Sequence, residues 1–181
     1  MLVYPLVQCQ WPLVGCRSIM KHTVKIGVLS DTHLHQVTKE FVQIYDQYLS
    51  AMDLILHAGD VVSPDVIDFL NAKDFHGVCG NMDPADVKQL LPEKKVLDLA
   101  GYRIGLIHGW GQADGLEERI KRLFHHVDVI VYGHSHIASN HMRDGILFFN
   151  PGTATGYSSL GKHSIGILEL GESPRGEIIP L

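Results

Sequence analysis

Charge is scarce in this 181-residue chain: Asp, Glu, Lys and Arg make up 19% of it, and the acidic residues outnumber the basic ones to leave a net charge of -5. Without a basic excess there is no footprint for unaided nucleic-acid binding, so an anionic ligand has to be met by local cations. Cysteine is equally thin, with only Cys9, Cys16 and Cys79. An odd number of thiols without a convincing export signal excludes a disulfide framework and predicts a reduced, cytoplasmic chain. No repeat, linker or low-complexity block is present. Residues 1–19 are apolar, but they lack a basic start and carry Pro5 and Pro12, a poor fit to a signal peptide or a membrane helix. They are expected to be an extension, either a floppy tail or the product of a start codon placed too early, with one domain over residues 20–181.

What is present is an apolar content of 45%, enough for one core, and twelve histidines, which can ligate metal without adding permanent charge. The organising stretch is residues 127–136, VDVIVYGHSH. Its β-branched and aromatic residues read as a strand buried on both faces, ended by Gly133 with His134 and His136 just beyond. Five other runs stop in the same manner. VKIGVLS ends at Asp31-Thr32-His33, DLILHA at Gly59-Asp60, residues 75–79 at Gly80-Asn81, residues 102–107 at His108-Gly109, and residues 146–149 at Asn150-Pro151-Gly152.

Between these runs, residues 37–49 carry apolar side chains at helical spacing. Ser63-Pro64 and Asp83-Pro84 open two further helices, with Ser63 and Asp83 as caps. Residues 95–99 and 102–107 form a hairpin turning at Ala100-Gly101, and residues 115–124 a charged helix. Later strands fall at residues 141–142, 164–170 and 177–180. Strand-helix alternation followed by hairpins predicts an α/β fold, a four-layer α/β/β/α sandwich of two mixed sheets with the polar residues at the carboxyl ends of the strands.

Taken singly, each polar position has a structural reading. Asp31 can cap a helix, Asn81 can sit in a turn, His108 can be a core histidine, and His134 and His136 alternate so that only one need point inward. Jointly, seven donors at five strand ends suggest two metal ions rather than one. A carboxylate such as Asp60 can bridge such a pair, which can hold a hydroxide and clamp a phosphoryl group during in-line displacement. Mixed imidazole, carboxylate and amide ligation suits manganese, iron, zinc or nickel better than calcium.

SDTH, GD, GN, HG and GHSH, in this order and at these separations, resemble the five-motif signature of calcineurin-like metallophosphoesterases. With the NPG turn, residues 20–181 resemble that superfamily's small single-domain prokaryotic phosphodiesterase branch, to which a retromer subunit is related. The resemblance implies two divalent cations, manganese first, with nickel, zinc, iron or magnesium as alternatives. Asp31, His33, Asp60 and His136 would surround one, and Asp60, Asn81, His108 and His134 the other. Asp60, Asn81 and His108 would serve catalysis, while Asn81, Asn150 and Gly152 would meet a small phosphate ester.

One departure stands out. Many members of the superfamily carry histidine after Gly-Asn, where this chain has Met82, which cannot give a leaving group a proton; diesters or activated esters are therefore expected over monoesters. The alternatives are a protein-binding scaffold, as in the retromer relative, and a phosphomonoesterase. With little chain outside the core the site is expected to be shallow, a homo-oligomer being left open. His57 is expected to pack behind the ligands, and His35, His125, His126, His141 and His163 to be surface or loop residues.

Overall fold

The structure is a computed structural model that describes residues 23–155 and 161–181, so the expectation for residues 1–19 lies outside it. Apolar runs and amphipathic segments alternate as read from the sequence: β1 (Val24–Leu29), α1 (Lys39–Ile44), β2 (Leu54–His57), α2 (Pro64–Leu70), β3 (Phe75–Gly77) and α3 (Ala85–Leu90). α1 runs on into a π-helical turn, Tyr45–Leu49. Its cap is Thr38, whose side chain accepts from the Phe41 amide, while Ser63 caps α2 with Pro64 in the first turn.

The second half opens with the hairpin β4 (Lys94–Leu99) and β5 (Tyr102–Ile107). Positive φ at Ala100 and Gly101 (50° and 84°) gives its two-residue turn the twist that antiparallel partners need. Then come α4 (Leu116–Lys121), β6 (Val129–Val131), β7 (Ser139–Arg143), β8 (Ile146–Asn150), β9 (Ser164–Leu170) and β10 (Pro174–Pro180).

The strands make two mixed five-stranded sheets, ordered β10-β9-β1-β2-β3 and β4-β5-β6-β8-β7. In each, the three strands that end in polar motifs are parallel: β1, β2 and β3 in one, β5, β6 and β8 in the other. The C-terminal hairpin joins the first sheet, β9 lying antiparallel to β1.

Ile26, Val28, Leu54 and Leu56 of one sheet pack against Ile104, Leu106, Val129 and Val131 of the other, forming the central layer. α1, α2 and α3 cover the first sheet through Phe41, Val66, Leu70 and Val87, and α4 covers the second through Leu116 and Ile120. The result is the four-layer α/β/β/α sandwich. No described helix is long and apolar enough to cross a membrane.

Packing holds the two sheets in a fixed relation, which matters because each supplies part of the polar rim. The fully buried Phe149 ring lies so close to the backbones of Gly166 and Gly176 that a Cβ at either would approach it to 2.5 Å. At the periphery Asn140 Nδ2 donates to Gly176 O (2.6 Å), and Lys95 Nζ meets His76 Nδ1 (3.1 Å). Phe149→Ala is expected to lower unfolding free energy by about 3–5 kcal/mol, because the flanking glycines have no side chains to fill the cavity; denaturant titration measures it.

Candidate metal centre

The six polar motifs meet on one rim because the parallel strands of both sheets end there. Leaving the sheet demands unusual backbone. Asp31, His33, Asp60, His134 and His136 all have positive φ, between 49° and 67°, a region that residues other than glycine seldom enter. Five of the seven predicted donors are thus held in a conformation that costs of order 1–3 kcal/mol each and persists only under strong anchoring. It also aims both histidines of GHSH into the site. Strand alternation predicts only one inward, but the chain leaves β6 at Val131, so the alternation no longer governs them.

Asp31 is fully buried and its two oxygens have different surroundings. Oδ2 accepts from Ser30 Oγ (2.5 Å) and the His134 amide (3.1 Å), tying the first motif to the last. Among the described residues Oδ1 has no hydrogen-bond partner, although His136 Nε2 lies 3.1 Å away and His33 Nε2 and His108 Nε2 each 3.9 Å. His33 Nε2 is likewise buried without a hydrogen-bond partner among the described residues, 3.7 Å from Asp60 Oδ2. Buried polar atoms left in this way are rare and ask for a missing ligand.

A second group lies alongside. His108 Nδ1 donates to Ala58 O (2.7 Å), which leaves Nε2 facing Asp60 Oδ2 (3.3 Å), Asn81 Oδ1 (3.2 Å) and Asp31 Oδ1 (3.9 Å). His134 Nδ1 approaches the same Asn81 oxygen (3.0 Å), and its Nε2 is held by Gly111 O (2.6 Å). Acceptor atoms gathered so closely repel unless a metal ion, or a proton on His108 Nε2, lies among them. Burial pulls the His108 pKa down, but the Asp60 and Asp31 carboxylates outweigh it and raise it; burial pushes Asp60 up, and His108 brings it below the usual carboxylate range.

Among the described residues, two three-residue sets have donor atoms close enough for one ion each: Asp31, His33 and His136, and Asp31, Asp60 and His108. The residues therefore fit divalent metal by donor type, burial and orphaned atoms. Asp31 belongs to both sets, while Asp60 Oδ2 stands between His33 of one and His108 of the other.

Two sequence readings need correction. Asp83 does not cap α3, whose N-cap is Pro84 with no side-chain hydrogen bond. Its buried carboxylate accepts instead from the amides of Asp60 (3.1 Å), Val62 (2.6 Å) and Gly80 (2.7 Å). It binds the second motif to the third and stabilises Val62, a β-branched residue at φ 74°. Burial pushes its pKa up, against the pull of the Gly80 and Val62 amides.

Asn150 and Gly152, expected to offer donors to substrate, have theirs engaged. Asn150 Nδ2 donates to Gly133 O (3.0 Å) and Ser135 Oγ (3.1 Å), and the Gly152 amide donates to Asn150 Oδ1 (2.9 Å). The turn positions the loop of His134 and His136. Thr153 and Thr155, just after it, donate to the carbonyls of Asp31 and Thr32 (2.8 Å each).

His57 is fully buried behind the donors, accepting from the Gly59 amide (3.2 Å) and meeting Thr32 Oγ1 (3.2 Å), as expected of a packed histidine. Arg119 escaped the sequence reading. Its Nε and Nη2 donate to Trp110 O (3.2 and 3.0 Å), Nη1 donates to Asp114 O (2.9 Å), and Nη2 also donates to Gln112 O, bracing the loop whose Gly111 carbonyl orients His134. A lone arginine on a charged helix carries no sequence signal for this role.

Imidazole, carboxylate and amide donors on the strand-end rim of a two-sheet sandwich define an α/β protein with a candidate metal centre. The Calcineurin-like phosphoesterase superfamily domain matches residues 24–173, and the chain belongs to that superfamily. It is 37% identical over 144 residues to a probable metallophosphoesterase of Methanocaldococcus jannaschii, covering 76% of this chain and 71% of that one. It is 30% identical over 171 residues to a phosphodiesterase of the same organism, covering 86% and 99%. Vacuolar protein sorting 29 from Cryptosporidium parvum shares the fold, with TM-score 0.67, 22% identity and coverage of 88% and 98%.

Two outcomes follow for the metal-free protein. Asp83→Ala strips three amides of their shared acceptor and is expected to lower unfolding free energy by roughly 2–4 kcal/mol in denaturant titrations. Burial holds the His57 pKa down to about 3, against 6.5 for an unperturbed histidine. Below pH 6.5 the unfolded chain binds a proton that folded His57 refuses, so stability falls with pH, by up to about 1.4 kcal/mol per unit from this group. His57→Gln should flatten that fall between about pH 6 and 4, read from urea unfolding at each pH.

Proposed function

We propose that the chain is a metal-dependent phosphodiesterase using two divalent cations, manganese first among them, to cleave a small phosphate ester. The observation that carries this reading is the convergence of Asp31, His33, Asp60, Asn81, His108, His134 and His136 at one rim, with Asp31 Oδ1 and His33 Nε2 buried and unpartnered by hydrogen bonds among the described residues. When bound, such ions act as Lewis acids toward phosphoryl oxygens and lower the pKa of bound water. Asp31, His33, Asp60 and His136 would hold one; Asp60, Asn81, His108 and His134 would hold the other.

The protein's own contribution is preorganisation. Ala58 O fixes the His108 ring and Gly111 O that of His134, so each presents its other nitrogen to the pocket with no tautomer change on binding. Met82, 60% exposed beside Asn81, has no proton to give a departing alkoxide. That favours diesters and activated esters over ordinary monoesters. A complete donor set argues against the scaffold reading, since seven convergent metal-binding groups add nothing to a protein-docking surface.

The test is turnover of bis(p-nitrophenyl) phosphate and p-nitrophenyl phosphate by chelator-stripped protein given manganese, nickel, zinc or magnesium in turn. Diester cleavage that needs an added ion is expected, and inactivity with every ion would favour the scaffold. Asp60→Ala and His108→Ala should each lose at least about a hundredfold in rate and one metal equivalent while keeping the far-ultraviolet circular dichroism of the parent; unchanged rates in both would refute the assignment.

A further inference from the structure

A groove of about 690 Å³ is lined by Asn81 and His108 of the metal centre and extends to residues outside it. Leu91, Pro92, Trp110 and Leu123 line it, together with Lys88 and Lys94. Its size lies within the roughly 300–1,000 Å³ typical of small-ligand sites. Trp110 is 45% exposed, so a large part of its indole is free to meet a ligand. An exposed tryptophan beside a reaction centre has a bland explanation as an ordinary surface residue, and two observations speak against it. Its backbone carbonyl is gripped by two nitrogens of the Arg119 fork, so the side chain stands on fixed backbone. The same loop fixes His134 through Gly111 O, which ties the groove to the metal centre.

Resting on the phosphoesterase reading, we propose that this groove receives a flat aromatic arm of the ester, stacked on Trp110, while the phosphoryl group lies at the metal centre. The groove shares Asn81 and His108 with that centre, so an arm bonded to the same phosphorus reaches it directly. Lining charge agrees: two lysines against the single acid Glu93 leave an excess of positive charge for an anionic substrate. Lys94 Nζ donates one hydrogen bond to Leu123 O (3.3 Å), which holds that charge at the groove. A rigid indole favours a planar arm over an alkyl one because it stacks without ordering flexible side chains.

The test compares two diesters with the same leaving group, p-nitrophenyl phenyl phosphate and p-nitrophenyl methyl phosphate, with the manganese-loaded protein. Trp110→Ala should lower the ratio of their kcat/KM values about tenfold, the order expected for one aromatic stack, and Trp110→Phe should restore most of it. A ratio unchanged within twofold in Trp110→Ala would overturn the proposal.

Calorimetric binding of phenyl phosphate and inorganic phosphate judges the groove independently of turnover. Preference for phenyl phosphate that Trp110→Ala abolishes supports it, and equal affinity for the two ligands in the parent rejects it. Parent protein inactive on both diesters with every ion would sink the phosphoesterase reading alone, and the calorimetry would then decide the groove.

Discussion

Everything at this site depends on keeping carboxylate oxygens and imidazole nitrogens crowded together at a rim where Asp31, Asp60 and His108 are buried. Asp31 Oδ1 faces three histidine nitrogens, and Asp60 Oδ2 stands between His33 and His108. Such a cluster disfavours folding unless a cation is bound or the surrounding framework is rigid enough to impose it. The framework does so through left-handed backbone at the strand ends, and that strain is in turn borne by dedicated hydrogen bonds.

Those hydrogen bonds explain the motifs better than their resemblance to one another does. Ser30 and the His134 amide hold one oxygen of Asp31; Asp83 holds the loops of Asp60 and Asn81; Asn150 holds the loop of His134 and His136. Glycine appears where these loops touch. A Cβ at Gly80 would fall onto Asp60 Oδ1 and one at Gly133 onto Ser30 Oγ, so the residues before Asn81 and His134 have no room for a side chain. Part of the support for each of these loops comes from another strand end, and no loop holds its own ligands unaided.

How legible this was depends on range. Asp31, Asp60, His108, His134 and His136 each follow directly on an apolar run, so strand periodicity alone placed them on the rim. Asp83 was misread because Asp-Pro is also a helix-start signature, and only coordinates show that its carboxylate turns back to Asp60 and Val62 rather than forward into α3. Asn150 was misread for the converse reason. Its polar side chain at a strand end looks like a ligand-facing group until its amide is found on Gly133 and Ser135. Arg119 and Trp110 carry no periodic signal, because their roles come from meeting each other across a loop.

The order of the elements and the donor types at their ends are local properties: hydrophobic period sets where a strand stops, and the residue just past it inherits the rim. Those were determined by the sequence alone, and with them the α/β/β/α layering. Which carboxylate supports and which one faces the pocket was decided only by the tertiary structure, as was the apolar groove beside the centre. Both depend on loops from two sheets approaching within hydrogen-bond reach, and that closeness is set by packing across the whole sandwich.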